Sequence, residues 1–264
     1  MMNRVSVARQ LFFALPRQQR AVYGLVVAWI LAMIAVPILR WTLGDTIIPS
    51  AITFALMVQF CAVFIALASV WGMKKIGIVF GIIAIMTWGV EFMGSKTNFP
   101  FGSYDYTPLL QPQLGGVPLL IPIAWFMMLP AAWNIAHLTV GTRNKFAYIV
   151  VATLAMTAWD LFLDPQMVAW KFWEWHEYGA YFGIPLMNYF GWLLTACVIT
   201  AVIRPYRWQM PHYPLWVVYA VVWFLQSIGL AVFWGMAGPA FFGCISMGAF
   251  LVWSWKGLKN IHEH

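Results

Sequence analysis

Three carboxylates stand where a carboxylate is costly. Glu91 lies in the stretch Thr87-Trp88-Gly89-Val90-Glu91-Phe92-Met93-Gly94, inside an otherwise uncharged run, and Asp160 and Asp164 close another apolar run four residues apart. A charged side chain near the centre of a hydrophobic span costs about 2.5–3.5 kcal/mol on insertion scales, less towards its end, so residues of this kind are functional candidates by default. The i, i+4 spacing puts Asp160 and Asp164 on one helix face, where two carboxyl groups that repel when ionised behave as a coupled pair. An acid and a base held together away from water are what a proton-transfer reaction needs. The plainer readings are an interfacial carboxylate for Glu91, a helix end before Pro165 for Asp164, and a bond to a neighbouring Trp or backbone group for Asp160.

Aromatic segments flank these acids. The stretch Thr97-Asn98-Phe99-Pro100-Phe101-Gly102-Ser103-Tyr104-Asp105-Tyr106 mixes turn formers with aromatic rings and one acid. Structured backbone at membrane depth must pack on protein or line a wet cavity, so Tyr104 and Asp105 are candidate walls of a pocket for a long apolar ligand. After Pro165, the run Gln166–Tyr178 is rich in Trp and charge, which suits an amphipathic helix lying in the interface near 166–180, with Lys171 and Glu174 spaced for an ion pair. For most of its aromatics, Trp173 and Trp175 included, anchoring competes with a role in the site. Asn188 sits just inside a later apolar run, where its amide serves either as glue between helices or as a substrate contact.

Absences narrow the chemistry. His137, His176 and His212 are isolated in the sequence, no Rossmann glycine pattern, P-loop or nucleophile elbow occurs, and Cys61, Cys197 and Cys244 lack metal or redox spacing. What remains is acid/base chemistry with no cofactor and no metal, in an aromatic-lined apolar site.

The elements that must carry these residues are membrane spans. Of 264 residues only 9% are charged and 63% are hydrophobic, where a soluble domain carries about 25% charge. That excludes a soluble enzyme, a nucleic-acid binder and a disordered scaffold. Apolar runs long enough to cross a core of about 30 Å fall at roughly 21–39, 47–73, 76–94, 117–140, 146–163, 183–203, 214–235 and 238–255. The fold expected is therefore an all-α polytopic helix bundle of about eight transmembrane helices in a single domain, 1–264. The first run follows the basic tail 1–20, but no clear cleavage site follows it, so it reads as a retained span. On this topology twelve of the fifteen basic residues fall on one side, which places both termini in the cytoplasm of a multi-pass cell-membrane protein. Seven of the eight acids fall on or near the other side, beside the two segments too long to be simple connectors, 95–116 and 165–182. The working site is expected there, at the outer ends of the third and fifth helices.

Several ordered motifs across roughly 85–195 resemble the membrane-bound carotenoid biosynthesis protein family. They are Glu91 with Thr97–Tyr106, Gly116-Val117-Pro118-Leu119-Leu120-Ile121-Pro122, Asp160-Leu161-Phe162-Leu163-Asp164-Pro165-Gln166-Met167-Val168, Phe172-Trp173-Glu174-Trp175, and Gly183-Ile184-Pro185 followed by Asn188 and Gly191-Trp192. The family includes carotenoid 1,2-hydratases acting on γ-carotene-like and bisanhydrobacterioruberin-like substrates. The resemblance implies addition of water to the terminal double bond of a linear (ψ) end group, giving a tertiary alcohol. On that expectation Asp160 or Glu91 protonates the alkene and Asp164 orients or deprotonates water. Trp88, Tyr104, Trp173 and Trp175 would line the cation site, with Asp105 and Asn188 as further substrate contacts. The partners implied are the carotenoid, membrane lipid and, as candidates, other carotenoid-pathway enzymes. The competing class is a non-catalytic isoprenoid carrier or a scaffold for such enzymes, and a third is an isomerase or a hydratase of another terpenoid end group.

Overall fold

A computed structural model describes residues 17–260; most of the basic tail, including Arg4 and Arg9, and the C-terminal Glu263 lie outside the described residues. Eight long helices follow one another: α1 (Arg17–Leu43), α2 (Ile48–Trp71), α3 (Met73–Thr97), α4 (Leu120–Val140), α5 (Lys145–Ala169), α6 (Leu186–Ile203), α7 (His212–Ile228) and α8 (Ala237–Asn260). Each, α7 together with the π-helical turn Gly229–Phe233 that continues it, is long and apolar enough to cross a membrane, so the chain is a multi-pass membrane protein. Four short strands interrupt them: β1 (Tyr104–Tyr106), β2 (Gln113–Leu114), β3 (Val117–Pro118) and β4 (Trp173–Trp175).

α4 and α5 are the most buried spans. α4 is apolar all round, as a helix at the centre of a bundle must be, and it packs against α2, α3, α5, α7 and α8. Eight crossings return the chain to the face on which it began. The α3–α4 and α5–α6 connections therefore share the other face, as expected from the sequence.

The interfacial helix expected near 166–180 does not form. α5 runs through Pro165 to Ala169, Lys171 takes a left-handed backbone (φ 58°), and the chain then extends as β4. Two physical features decide this. Trp173-Glu174-Trp175 has the period-2 alternation of a strand, and β1, some 70 residues earlier, alternates in the same way. The two pair antiparallel, with Tyr104 opposite Trp175, Asp105 opposite Glu174 and Tyr106 opposite Trp173. Lys171 and Glu174 make no ion pair; among the described residues the carboxylate pairs run from Arg40 to Asp45 and from His176 to Asp105.

A proline inside α5 leaves the carbonyl four residues earlier without its helical donor. That carbonyl belongs to Leu161, and the hydroxyl of Tyr181 donates to it at 3.0 Å. The helix can thus continue past Pro165 with its backbone satisfied, which carries Asp160 and Asp164 inside the bundle rather than at its rim. His137 and His212, isolated in sequence, lie with ring centroids 5.7 Å apart near the opposite face.

Candidate active site

The two-stranded sheet sorts its side chains by face. Tyr104 and Tyr106 project to one side of β1, and Trp173 and Trp175 project to the same side of β4. Their rings form a packed aromatic panel, with Tyr104 and Trp175 centroids 5.1 Å apart and Tyr106 and Trp173 centroids 5.8 Å apart. Asp105 and Glu174 lie between them on the other face, as the strand period requires. The panel faces Glu91 and Asp164, and the acidic face looks outward, exposed.

Every polar tip on the panel donates to a carboxylate. The hydroxyls of Tyr104 and Tyr106 donate to the same oxygen of Glu91, Oε2, at 2.5 and 2.9 Å. The indole nitrogens of Trp173 and Trp175 donate to Oδ1 of Asp164 at 2.6 and 3.3 Å. Asn188, in the first turn of α6, donates with its amide to Oδ2 of Asp164 and to Oδ2 of Asp160, the latter at 2.8 Å. Burial first, then the facing Glu91 carboxyl, pushes both phenols well above the ordinary tyrosine range, so both remain O–H donors. Glu91 is 5% exposed, Asp164 1% and Asp160 0%. From the ends of α3 and α5, Glu91 lies about 9 Å and Asp164 about 7 Å inside the bundle, at ~1.5 Å per residue.

Glu91, Asp164 and Asn188 line one chamber, completed by the panel and by Phe101, Ile121, Ala124, Trp125, Leu163 and Trp192. Trp125 and Trp192 stack with centroids 4.4 Å apart. Phe101 closes the chamber between α3 and α6 because glycines meet it there. A Cβ at Gly191 would lie 2.3 Å from its ring, and one at Gly94 would lie 3.0 Å away.

The sequence expectations divide on this geometry. Glu91, Asp164, Tyr104, Trp173, Trp175 and Asn188 converge on the chamber. Asp160 does not line it: the carboxyl sits behind Asn188, with Oδ1 lacking any hydrogen-bond partner. Asp105 is placed on the water-facing side of β1, paired with His176 Nε2 at 2.8 Å, because strand alternation turns it away from Tyr104 and Tyr106. Trp88 is also outside, donating to the Leu114 carbonyl at 3.1 Å and stacking on Phe92 at 5.2 Å. Its spacing of three from Glu91 puts the two on neighbouring positions around α3, but the bond to Leu114 and the stack on Phe92 hold the indole against the 113–118 hairpin instead of in the chamber. Tyr106, Phe101, Trp125 and Trp192 were not singled out by sequence. Phe101, Tyr106 and Trp192 lie in the quoted motifs, Tyr106 at a spacing of two from Tyr104, and Trp125 carries no signal.

A second, more apolar cavity adjoins the chamber across Ile121, Ala124, Leu163 and Trp173, which line both. Its remaining walls are lined by apolar and aromatic side chains apart from Gln59, Gln166 and Gln226, and come chiefly from α1, α2, α4, α5 and α7. The arrangement is a hydrophobic slot that ends at paired carboxylates under an aromatic cover.

Comparison with known proteins bears on what such a slot holds. A bisanhydrobacterioruberin hydratase from Haloarcula japonica is 33% identical over 128 residues, 47% of this chain and 43% of the relative, so the alignment spans less than half the length of that protein. No solved structure matches the chain. Residues 50–250 match the model of the carotenoid biosynthesis protein family, a stretch that runs from α2 into α8 and contains every residue lining the chamber. The chain belongs to the carotenoid biosynthesis protein family.

Proposed function

We propose that this protein hydrates the terminal isopropylidene double bond of a ψ end group on a linear or monocyclic carotenoid, giving a 1-hydroxy tertiary alcohol without a cofactor. The observation that carries the reading is the convergence of two buried carboxyls, Glu91 and Asp164, on one aromatic chamber that adjoins an apolar slot. A carrier would need the slot and the aromatics. It would have no use for acids retained out of water at the slot's end.

The hydrogen bonds suggest the division of labour. Both phenols converge on one oxygen of Glu91, and no donor among the described residues reaches the other, Oε1. Glu91 can therefore carry a proton on Oε1, as a general acid must. Asp164 receives three N–H groups and no hydroxyl, a set that suits an acceptor-only carboxylate. Glu91 protonates C2 of the alkene, placing positive charge on C1. The faces of Trp125, Trp173, Trp175 and Trp192 stabilise that tertiary cation, by about 2 kcal/mol each where water is excluded. Water held by Asp164 adds to C1 and loses a proton to the carboxylate, so one water is consumed and the enzyme's proton count is restored. Asp160 acts as a positioning residue that fixes the Asn188 amide.

The face carrying residues 17 and 260 is assigned to the cytoplasm of a cell membrane, from the distribution of basic residues. The test is co-expression with enzymes that make lycopene or γ-carotene in a host lacking this gene. The expected product is heavier by one water. An isomer of unchanged mass, or no new product from well-expressed protein, would reject the reading.

A further inference from the structure

The slot behind the chamber borders another cavity on the side of the bundle. A third cavity lies between the outer half of α1 and the outer end of α7 with the turn after it, lined by Pro37, Ile38, Trp41, Phe224, Ile228 and Phe233 among others. It meets the inner slot where Met33, Ile52, Trp170, Leu225, Gln166 and Gln226 line both. Exposed side chains along both flanking helices, Ile34, Ile38, Trp41, Phe224 and Ile228, lie at that opening. Lateral entry between α1 and α7 would bring a long polyene from the bilayer to the slot with no passage through water.

Two amides mark the neck of this path. Gln166 is 3% exposed, yet its side-chain amide makes no hydrogen bond to any described residue. The amide of Gln226, half-buried on the facing helix, makes none either. Gln59, on the wall of the inner slot, has only the thioether of Met128 at 3.4 Å, a weak acceptor. A polar group buried among apolar ones costs free energy unless a partner arrives. Retaining two unpartnered amides where a hydrocarbon passes is unfavourable unless the ligand brings a partner.

We infer that Gln166 and Gln226 bind an oxygen function, a neutral hydroxyl or carbonyl, carried by the polyene close to its reacting end. The inference rests on the hydratase reading and adds a specificity-determining pair to it. Helix geometry sets the position. Asp164 and Gln166 are two residues apart on α5, so they stand nearly opposite one another around the helix with Leu163 between them, and Leu163 lines both the chamber and the slot. A ligand lying over Leu163 meets Asp164 on one side and Gln166 on the other. The oxygen is then within roughly 10 Å of the reacting double bond, the width of one helix. A glutamine amide both donates and accepts, which matches a hydroxyl in either sense.

The test uses purified protein in lipid nanodiscs and reads binding through quenching of its tryptophan fluorescence. The probes are lycopene and lycopenes bearing one hydroxyl at C3, at C4, or on the methyl branch at C5 or C9. At least one hydroxylated probe is expected to bind about tenfold tighter than lycopene, which corresponds to about 1.4 kcal/mol and is within what one or two neutral hydrogen bonds supply. In Gln166→Leu/Gln226→Leu that ratio is expected to fall to about one with lycopene affinity retained. Gln226→Leu alone, at a half-buried position, is expected to lower the ratio in part and guards against misfolding of the double variant. No preference for any hydroxylated probe, or a preference that survives both substitutions, would overturn the inference. Binding without hydration would reject the hydratase reading alone, and hydration without discrimination among the probes would reject this inference alone.

Discussion

Glu91→Gln is the substitution in which structure and chemistry separate most cleanly. The two phenols that hold Glu91 meet on Oε2, and no donor faces Oε1. A glutamine can place its carbonyl oxygen at the Oε2 position and its NH₂ at Oε1, keeping both hydrogen bonds in the same volume. Its effect on stability is therefore expected to be under about 1 kcal/mol, as for a substitution that creates neither a cavity nor an unpaired buried group. Its effect on turnover should be large, because an amide cannot deliver the proton. Loss of a positioned general acid lowers rates by about 10²–10⁴-fold, or about 3–5 kcal/mol of barrier. The assay is the initial rate of hydrated polyene formation by purified protein in nanodiscs, beside a thermal unfolding curve on the same sample. A Glu91→Gln protein that unfolds normally and turns over within threefold of the native rate would refute the assignment of Glu91 as the acid.

The other carboxylates should behave differently from Glu91 and from each other. Asp164→Asn must turn an NH₂ towards either the two indole N–H groups or the Asn188 amide, leaving a donor unpaired at a cost of about 1–3 kcal/mol; both a lowered unfolding temperature and a rate loss of at least about 100-fold are expected. Asp160→Asn keeps its single acceptor contact with Asn188 and can place its NH₂ at the orphaned Oδ1, so a rate loss of less than about tenfold with unchanged or higher stability is expected, and a complete loss of activity in folded protein would promote Asp160 to the reacting centre. Gly191→Ala puts a Cβ 2.3 Å from the Phe101 ring, and overpacking of this kind costs about 1–3 kcal/mol; the chamber wall should shift and activity fall, with partial recovery on adding Phe101→Leu. Asp105→Asn, on the water-facing side of β1, should leave turnover within about twofold, since exposed pairs contribute at most about 1 kcal/mol to stability.

How much of this was visible in the residues depended on how local the determining physics was. Span positions follow from runs of side chains along one helix, so all eight were readable, as were the acids stranded within them. β4 was misread because the tryptophans and charges of 166–180 have the composition of an interfacial helix, while the strand's hydrogen-bonding partner lies near Tyr104, far away in sequence. Asp105 and Trp88 are expected in the site, but strand alternation turns Asp105 to the other face of β1 and contacts with Leu114 and Phe92 hold Trp88 outside the chamber. In a chain with 17 Trp, 20 Phe and 10 Tyr, composition could not mark Trp125, Trp192 or Phe101 as the rings that reach the carboxylates. Nor could it show that Pro165 lies within a helix whose freed carbonyl Tyr181 satisfies.

The central claim is that water adds across a terminal double bond in the chamber between Glu91 and Asp164. Incubating the reconstituted protein with lycopene or γ-carotene in ¹⁸O-labelled water, then weighing the product, tests it most directly. The account requires a tertiary alcohol heavier than the substrate by one labelled water, formed by the native protein and lost in Glu91→Gln. An unlabelled alcohol, an isomer of unchanged mass, or labelled product formed equally well by Glu91→Gln would contradict it.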